Sequence, residues 1–76
     1  METWNIDVYT FPEIIRETRK QRNLTQTELA KAANVNLITI VNYENGYKIP
    51  QIPTLIKVAA ALGITEIKFD TTKKWY

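Results

Sequence analysis

The tightest constraint in this chain is a pair of short helical stretches with only two residues between them. Thr25 is a candidate N-cap, and Glu28 stands three residues on, where the reciprocal acid of a capping box belongs. A helix from about Gln26 to Ala33 follows, with Leu29, Ala30 and Ala33 at i, i+1 and i+4 as its apolar positions. Asn36 is the next N-cap, opening a helix that runs to about Asn45, where Gly46 takes the helix-ending position. Only Asn34 and Val35 lie between. Asparagine tolerates the left-handed conformation better than any residue but glycine, so the chain turns sharply there.

The flanking residues extend this helical middle. Thr10-Phe11-Pro12-Glu13 has the capping-box form with proline in the first turn, predicting a helix to about Arg22 with Ile14, Ile15 and Thr18 inward. Pro50 interrupts the loop Tyr47-Lys48-Ile49-Pro50-Gln51. A last helix covers about Ile52 to Leu62, with Pro53 in its first turn, and Gly63 ends it. Ile52, Leu55, Ile56, Val58, Ala59 and Leu62 give it a wide apolar face. The ends alternate with period two instead: Trp4, Ile6 and Val8 at one, Ile67 and Phe69 at the other. Trp75 and Tyr76 add to the terminal aromatics.

The expected architecture is mainly α. It is one compact four-helix domain over residues 1–76: an N-terminal strand at 4–10, a helical core at 11–63 and a C-terminal strand at 64–72. The two terminal segments are expected to form a small antiparallel β pair. A lone pair is marginal in water, so it needs the helices or a second subunit's strands to pack on. Seventy-six residues hold one such domain and sit near the lower limit for folding alone.

Composition narrows the chemistry. With no cysteine or histidine, the chain lacks thiolate metal sites and the commonest acid–base group near neutral pH. It also has no serine, hence no serine nucleophile. Scattered carboxylates on helix surfaces make a poor enzyme, and no catalytic residue, metal, cofactor or small-molecule substrate is expected. No apolar run approaches the roughly 20 residues that span a bilayer, and the acidic first ten residues do not read as a signal peptide. A cytoplasmic location without membrane attachment is the expectation. Residues 11–63 carry a net charge of +3, more than the +2 of the whole chain, so the middle is the basic part.

Two short helices joined by a tight turn form a helix-turn-helix. Ala30 is the small residue where the helices cross, Asn34 the turn residue, and Val35 and Ile40 the apolar residues that follow. They stand four, eight, nine and fourteen residues after Gln26. Residues 15–64 resemble the lambda-repressor-like helix-turn-helix domains of phage repressors and many small bacterial regulators. The likeness is carried by Ile15-Arg16-Glu17, Arg19, Leu24 to Ala30, Val35, Thr39-Ile40, Glu44-Asn45-Gly46, Pro50, and Leu55 to Ile64. It implies a repressor-type homodimer on palindromic double-stranded DNA, with the third helix as reader.

Carried over position by position, the resemblance makes Gln26 a contact to the DNA backbone that also braces the reading residues. Asn45 and Gly46 match the segment whose N–H groups meet phosphate. Thr25 is a secondary backbone candidate. Lys48, Arg22 and Lys31 are candidate phosphate contacts, although a single surface lysine is more often merely solvated. Arg19 and Glu44 match a buried structural ion pair. The base-reading positions hold Asn36, Leu37, Ile38, Val41 and Asn42. Arginine, the usual partner of guanine, is missing there, whereas asparagine pairs with adenine and apolar side chains touch the thymine methyl. An A·T-rich operator is therefore expected.

Leu37, Ile38 and Val41 also fit an alternative, an antitoxin-like module whose third helix binds a protein partner. Two further departures from the family pattern are Thr18, where a large apolar residue is usual, and the strand-like residues after Ile64 in place of a fifth helix. Trp4, Ile6, Val8, Ile67 and Phe69 are the expected dimer interface.

Overall fold

The computed structural model describes residues 2–69, leaving aside the side chains of Glu2 and Phe69. The expected strand residues beyond Phe69, and the aromatics Trp75 and Tyr76, lie outside the described residues. In chain order the elements are β1 (Glu2–Ile6), α1 (Phe11–Gln21), α2 (Gln26–Ala33), α3 (Leu37–Glu44), α4 (Ile52–Ala61) and β2 (Ile64–Phe69).

Local chemistry explains most helix boundaries. The capping box at α2 is complete: Glu28 N–H donates to Thr25 Oγ1 (3.1 Å), and Thr25 N–H donates to Glu28 Oε1 (2.8 Å). Asn34 ends α2 in the left-handed region at φ 57°, and Gly46 does the same after α3 at φ 72°. The expected capping box at α1 does not form. Thr10 is already helical at φ −102°, ψ −15°, whereas an N-cap that receives the N3 amide is extended. Asp7 caps instead, its carboxylate accepting from the N–H groups of Tyr9 (2.8 Å) and Thr10 (3.0 Å). Val8 therefore belongs to this turn, not to a strand reaching residue 10. Asn36 stands at the α3 N-cap in extended backbone without a side-chain cap bond.

Phe11, Ile15, Leu29, Ile40, Leu55, Val58 and Leu62 are fully buried at the centre of the core. Each such side chain contributes roughly 1.5–3 kcal/mol relative to exposure. Ala30 and Ala33 are buried where α2 lies against its neighbours, and their small size lets α3 approach. Thr18 is not a gap in this core. Trp4 of β1 lies in the core cluster, and its Nε1–H donates to Thr18 Oγ1 at 3.1 Å. The hydroxyl in turn donates to Ile14 O at 2.7 Å.

The terminal strands pair as expected, but in parallel rather than antiparallel. Period-two alternation is blind to strand direction. Direction is fixed by where the helices deliver the chain: β2 begins with Ile64 beside Glu2, and later pairs run Trp4 with Ile67 and Ile6 with Phe69. The four helices act as the long crossover that a parallel pair requires. Thr3 pairs with Glu66, leaving Thr65 as the extra residue of a bulge. Trp4, Ile6 and Ile64 are buried, while Thr3, Asn5, Glu66 and Lys68 form a polar outer face. Along α4 only Leu55, Val58 and Ala59 are buried, so the expected wide inner face is narrower. Ile52 and Ile56 are 40% and 54% exposed.

Candidate nucleic-acid interface

One side of α3 is fixed by the core and the other is left to solvent. Ile40, Tyr43 and Glu44 are buried. Around the helix from them, Leu37 is 45% and Ile38 60% exposed, Val41 and Asn42 are half-buried, and Asn36 is exposed at the N-cap. Leu37, Ile38, Val41 and Asn42 share one helical surface, at i, i+1, i+4 and i+5.

A buried ion pair holds that surface from behind. Arg19 Nε–H donates to Glu44 Oε2 at 2.7 Å and its Nη2 to Oε1 at 3.0 Å, a two-point contact between α1 and the end of α3. The Arg19 Nη1 donates to Leu24 O at 2.8 Å, tying in the turn before α2. Gln26 Nε2 donates to Glu44 Oε1 at 3.2 Å, and Arg16 Nη1 donates to Glu44 O at 3.4 Å. One carboxylate thus joins α1, α2 and α3. Among the described residues no buried side-chain polar atom lacks a partner.

Gln26, half-buried at the start of α2, has its amide nitrogen turned to Glu44, and its oxygen remains an acceptor. Thr25, Lys31, Asn45, Gly46 and Lys48 are exposed. Arg22 is placed differently from the other candidate phosphate contacts. It is half-buried, and its Nε–H donates to Leu62 O (3.0 Å), satisfying a carbonyl at the end of α4. Trp4 and Ile6 are core residues of the protomer itself, so their side chains are already covered. Val8 and Ile67 are half-buried, and the Phe69 side chain is outside the described residues.

The structure adds residues that the spacing did not single out. Asn36 at the N-cap and Thr39 and Asn42 of α3 share a groove of about 450 Å³ with Lys48, Gln51 and Thr54. The signal was weak, because Gln51 and Thr54 flank Pro53 and read as ordinary helix-start residues. Tyr43 forms the groove's inner wall; burial pushes its phenol above the ordinary value, and a hydrogen bond with the Thr54 side chain partly offsets this. No helix among the described residues is long and apolar enough to cross a membrane.

A helix-turn-helix family model matches residues 15–69. The immunity repressor protein of Bacillus phage phi105 is 40% identical over 55 residues, 72% of this chain and 38% of that protein. The ImmF control region 10 kDa protein of the same phage is 33% identical over 51 residues, 67% of this chain and 57% of that protein. The chain therefore spans under two thirds of either phage relative. An uncharacterized HTH-type transcriptional regulator of Methanothermobacter thermautotrophicus is 40% identical over 55 residues, 80% of its own length. Among solved structures, an HTH_3-family transcriptional regulator from Vibrio cholerae aligns with a TM-score of 0.73 at 27% identity, covering 79% of this chain and 35% of that one.

Proposed function

The chain belongs to the helix-turn-helix family, and from that premise we propose that it is a DNA-binding transcriptional regulator of repressor type. It acts as a homodimer that reads a palindromic, A·T-rich operator through α3, without catalysis or cofactor. The observation that carries this reading is the outward face of α3, held rigid by the buried Arg19–Glu44 pair while Asn36, Leu37 and Ile38 stand in solvent. Asn42 and Asn36 pair with adenine edges, and Leu37, Ile38 and Val41 contact thymine methyls. Gln26, Thr25, Lys31, Lys48 and the N–H groups of Asn45 and Gly46 meet phosphate and set the register. Arg22, whose Nε–H donates to Leu62 O, is a further candidate phosphate contact. A single module of this kind covers roughly 600–1,000 Å² of protein surface on DNA, so two modules about one helical turn apart supply useful affinity.

Binding-site selection from random DNA over a salt series tests the proposal. The expected result is an enriched palindrome of A·T-rich half-sites with a steep negative salt slope. A footprint centred on G·C pairs overturns the base-reading assignment. Binding with no enriched motif favours the second reading, to which the 45% and 60% exposure of Leu37 and Ile38 also lends support: an antitoxin-like module whose α3 seats a protein partner.

A further inference from the structure

Among the described residues, strand β2 has β1 on one side only. An open edge is usually blunted against pairing with other strands. This one borders an apolar groove of about 290 Å³, lined by Ile52, Ile56 and Ala60 of α4 and by Ile64 and Ile67 of β2. The groove lies on the flank of α4 away from α3. Thr54, which lines the α3 groove, is about 160° around the helix from both Ile52 and Ile56 at 100° per residue.

We propose that a second copy of this chain covers this edge. Strand β2 pairs antiparallel with its twofold mate about Ile67, joining two two-stranded sheets into one of four, and Ile52 and Ile56 of each copy close over the seam. The proposal rests on the homodimer reading above and gives it a surface and a register.

The charge pattern of β2 selects this occupant. Antiparallel pairing centred on Ile67 sets Glu66 opposite Lys68 of the second copy, and Lys68 opposite its Glu66. Both residues are exposed on the polar outer face of the sheet. Thr3 Oγ1 already donates to Glu66 Oε1 at 3.1 Å, which holds the carboxylate over the strand. Centring one residue earlier or later opposes Glu66 to itself or Lys68 to itself, and like charges directly opposite are destabilising. A strand from an unrelated protein meets an exposed lysine at this edge, a common device against unselective pairing. The chain's own sequence, in this one register, neutralises it twice.

Sedimentation equilibrium of the full chain without DNA tests the seam independently of DNA reading. The wild-type chain is expected to dimerise across the micromolar range. Glu66→Lys alone and Lys68→Glu alone each place like charges opposite at two symmetric positions, and each is expected to weaken dimerisation by about tenfold. The double variant E66K/K68E restores opposite charges in the same register and is expected to regain wild-type association. Both substituted positions are exposed, and a helical circular dichroism spectrum checks folding. Ile67→Cys, in a chain with no other cysteine, is expected to yield a disulfide-linked dimer on mild oxidation, because opposed Cα atoms about 4.5–5.5 Å apart suit a disulfide. A monomeric wild-type chain overturns the proposal and leaves the groove to a different protein. Neutral single reversals, or a double variant that fails to recover, overturn the register.

Discussion

Two pairs of apolar side chains face solvent to similar extents, Leu37 and Ile38 on α3 and Ile52 and Ile56 on α4. Their settings differ. The α3 pair stands among amides, with Lys48 across the neighbouring groove, on a helix fixed from behind by a buried charge. The α4 pair stands beside Ala60 and Ile67 at an open strand edge, on a helix fixed from behind by hydrocarbon. Exposure alone does not give a patch its meaning. An apolar side chain framed by hydrogen-bonding groups suits a surface that mixes methyls with polar edges, as the major groove does. One framed by other apolar groups suits protein.

The sharpest way to separate the two settings is to remove what supports α3. Glu44 is 3% exposed and takes hydrogen bonds from Arg19 and Gln26. Glu44→Ala strands the Arg19 guanidinium in the core, and urea unfolding is expected to register a loss of about 3–5 kcal/mol. A loss under about 1 kcal/mol removes the distinction between a charge-fixed and a hydrocarbon-fixed helix.

The next effect compares the faces directly. Asn42→Ala is expected to weaken operator binding by about 1–3 kcal/mol in a fluorescence titration, while self-association and the urea midpoint stay near wild type. Ile56→Asp is expected to do the reverse with respect to self-association: dimerisation is lost, and binding to an isolated half-site is kept. If each variant damages both properties equally, the two patches are one functional surface and the comparison fails.

The sequence exposes these two regions unevenly. The α2–α3 unit is legible because its punctuation is local: Thr25 with Glu28, Asn34 and Gly46 each act within a few residues of themselves. The turn before α1 misleads because Asp7 begins the helical turn three residues earlier, accepting from the N–H groups of Tyr9 and Thr10, so Thr10 is already helical and no longer stands as an extended cap. Strand direction is not local at all. It depends on where α4 returns the chain, which no period-two pattern encodes. For the same reason Trp4 reads as a residue for a second subunit, although it packs in its own core and bonds to Thr18 fourteen positions away. Arg22 likewise looks like a surface cation until the end of α4 arrives beside it. On the outward face of α3 the sequence specifies which side chains point outward; the groove that Asn42 shares with Gln51 and Thr54 exists only once α4 is packed.

A smaller effect sharpens the role of the sheet. Trp4 belongs to the protomer's core and Ile67 to the proposed seam, although the two are paired neighbours. Trp4→Phe removes the donor to Thr18 Oγ1 and part of the buried ring, with an expected stability loss of about 1–2 kcal/mol in urea. Self-association in sedimentation is expected to stay within about threefold of wild type, because the inner face of β1 does not reach the seam. A loss of association as large as that of Ile56→Asp places β1 in the interface and joins regions that the structure keeps apart.

The smallest effect lies at the start of α2 and concerns the α3 side alone. Hydrogen bonds from Thr25, the backbone N–H first and the side chain second, hold the exposed Glu28 carboxyl below its ordinary value of 4.5. A depressed folded value means that this contribution to stability is fully present above the unfolded value and is lost as pH falls through the folded one. Glu28→Gln keeps the reciprocal bond of the capping box without a titrating group. Wild type is therefore expected to exceed Glu28→Gln slightly in urea midpoint at neutral pH, with the gap narrowing below about pH 4.5 and closing in stronger acid. The β2 seam contains no part of this box, so self-association of the two proteins is expected to coincide at neutral pH. A gap that widens in acid reverses the sign and shows that the carboxyl is not held charged by Thr25.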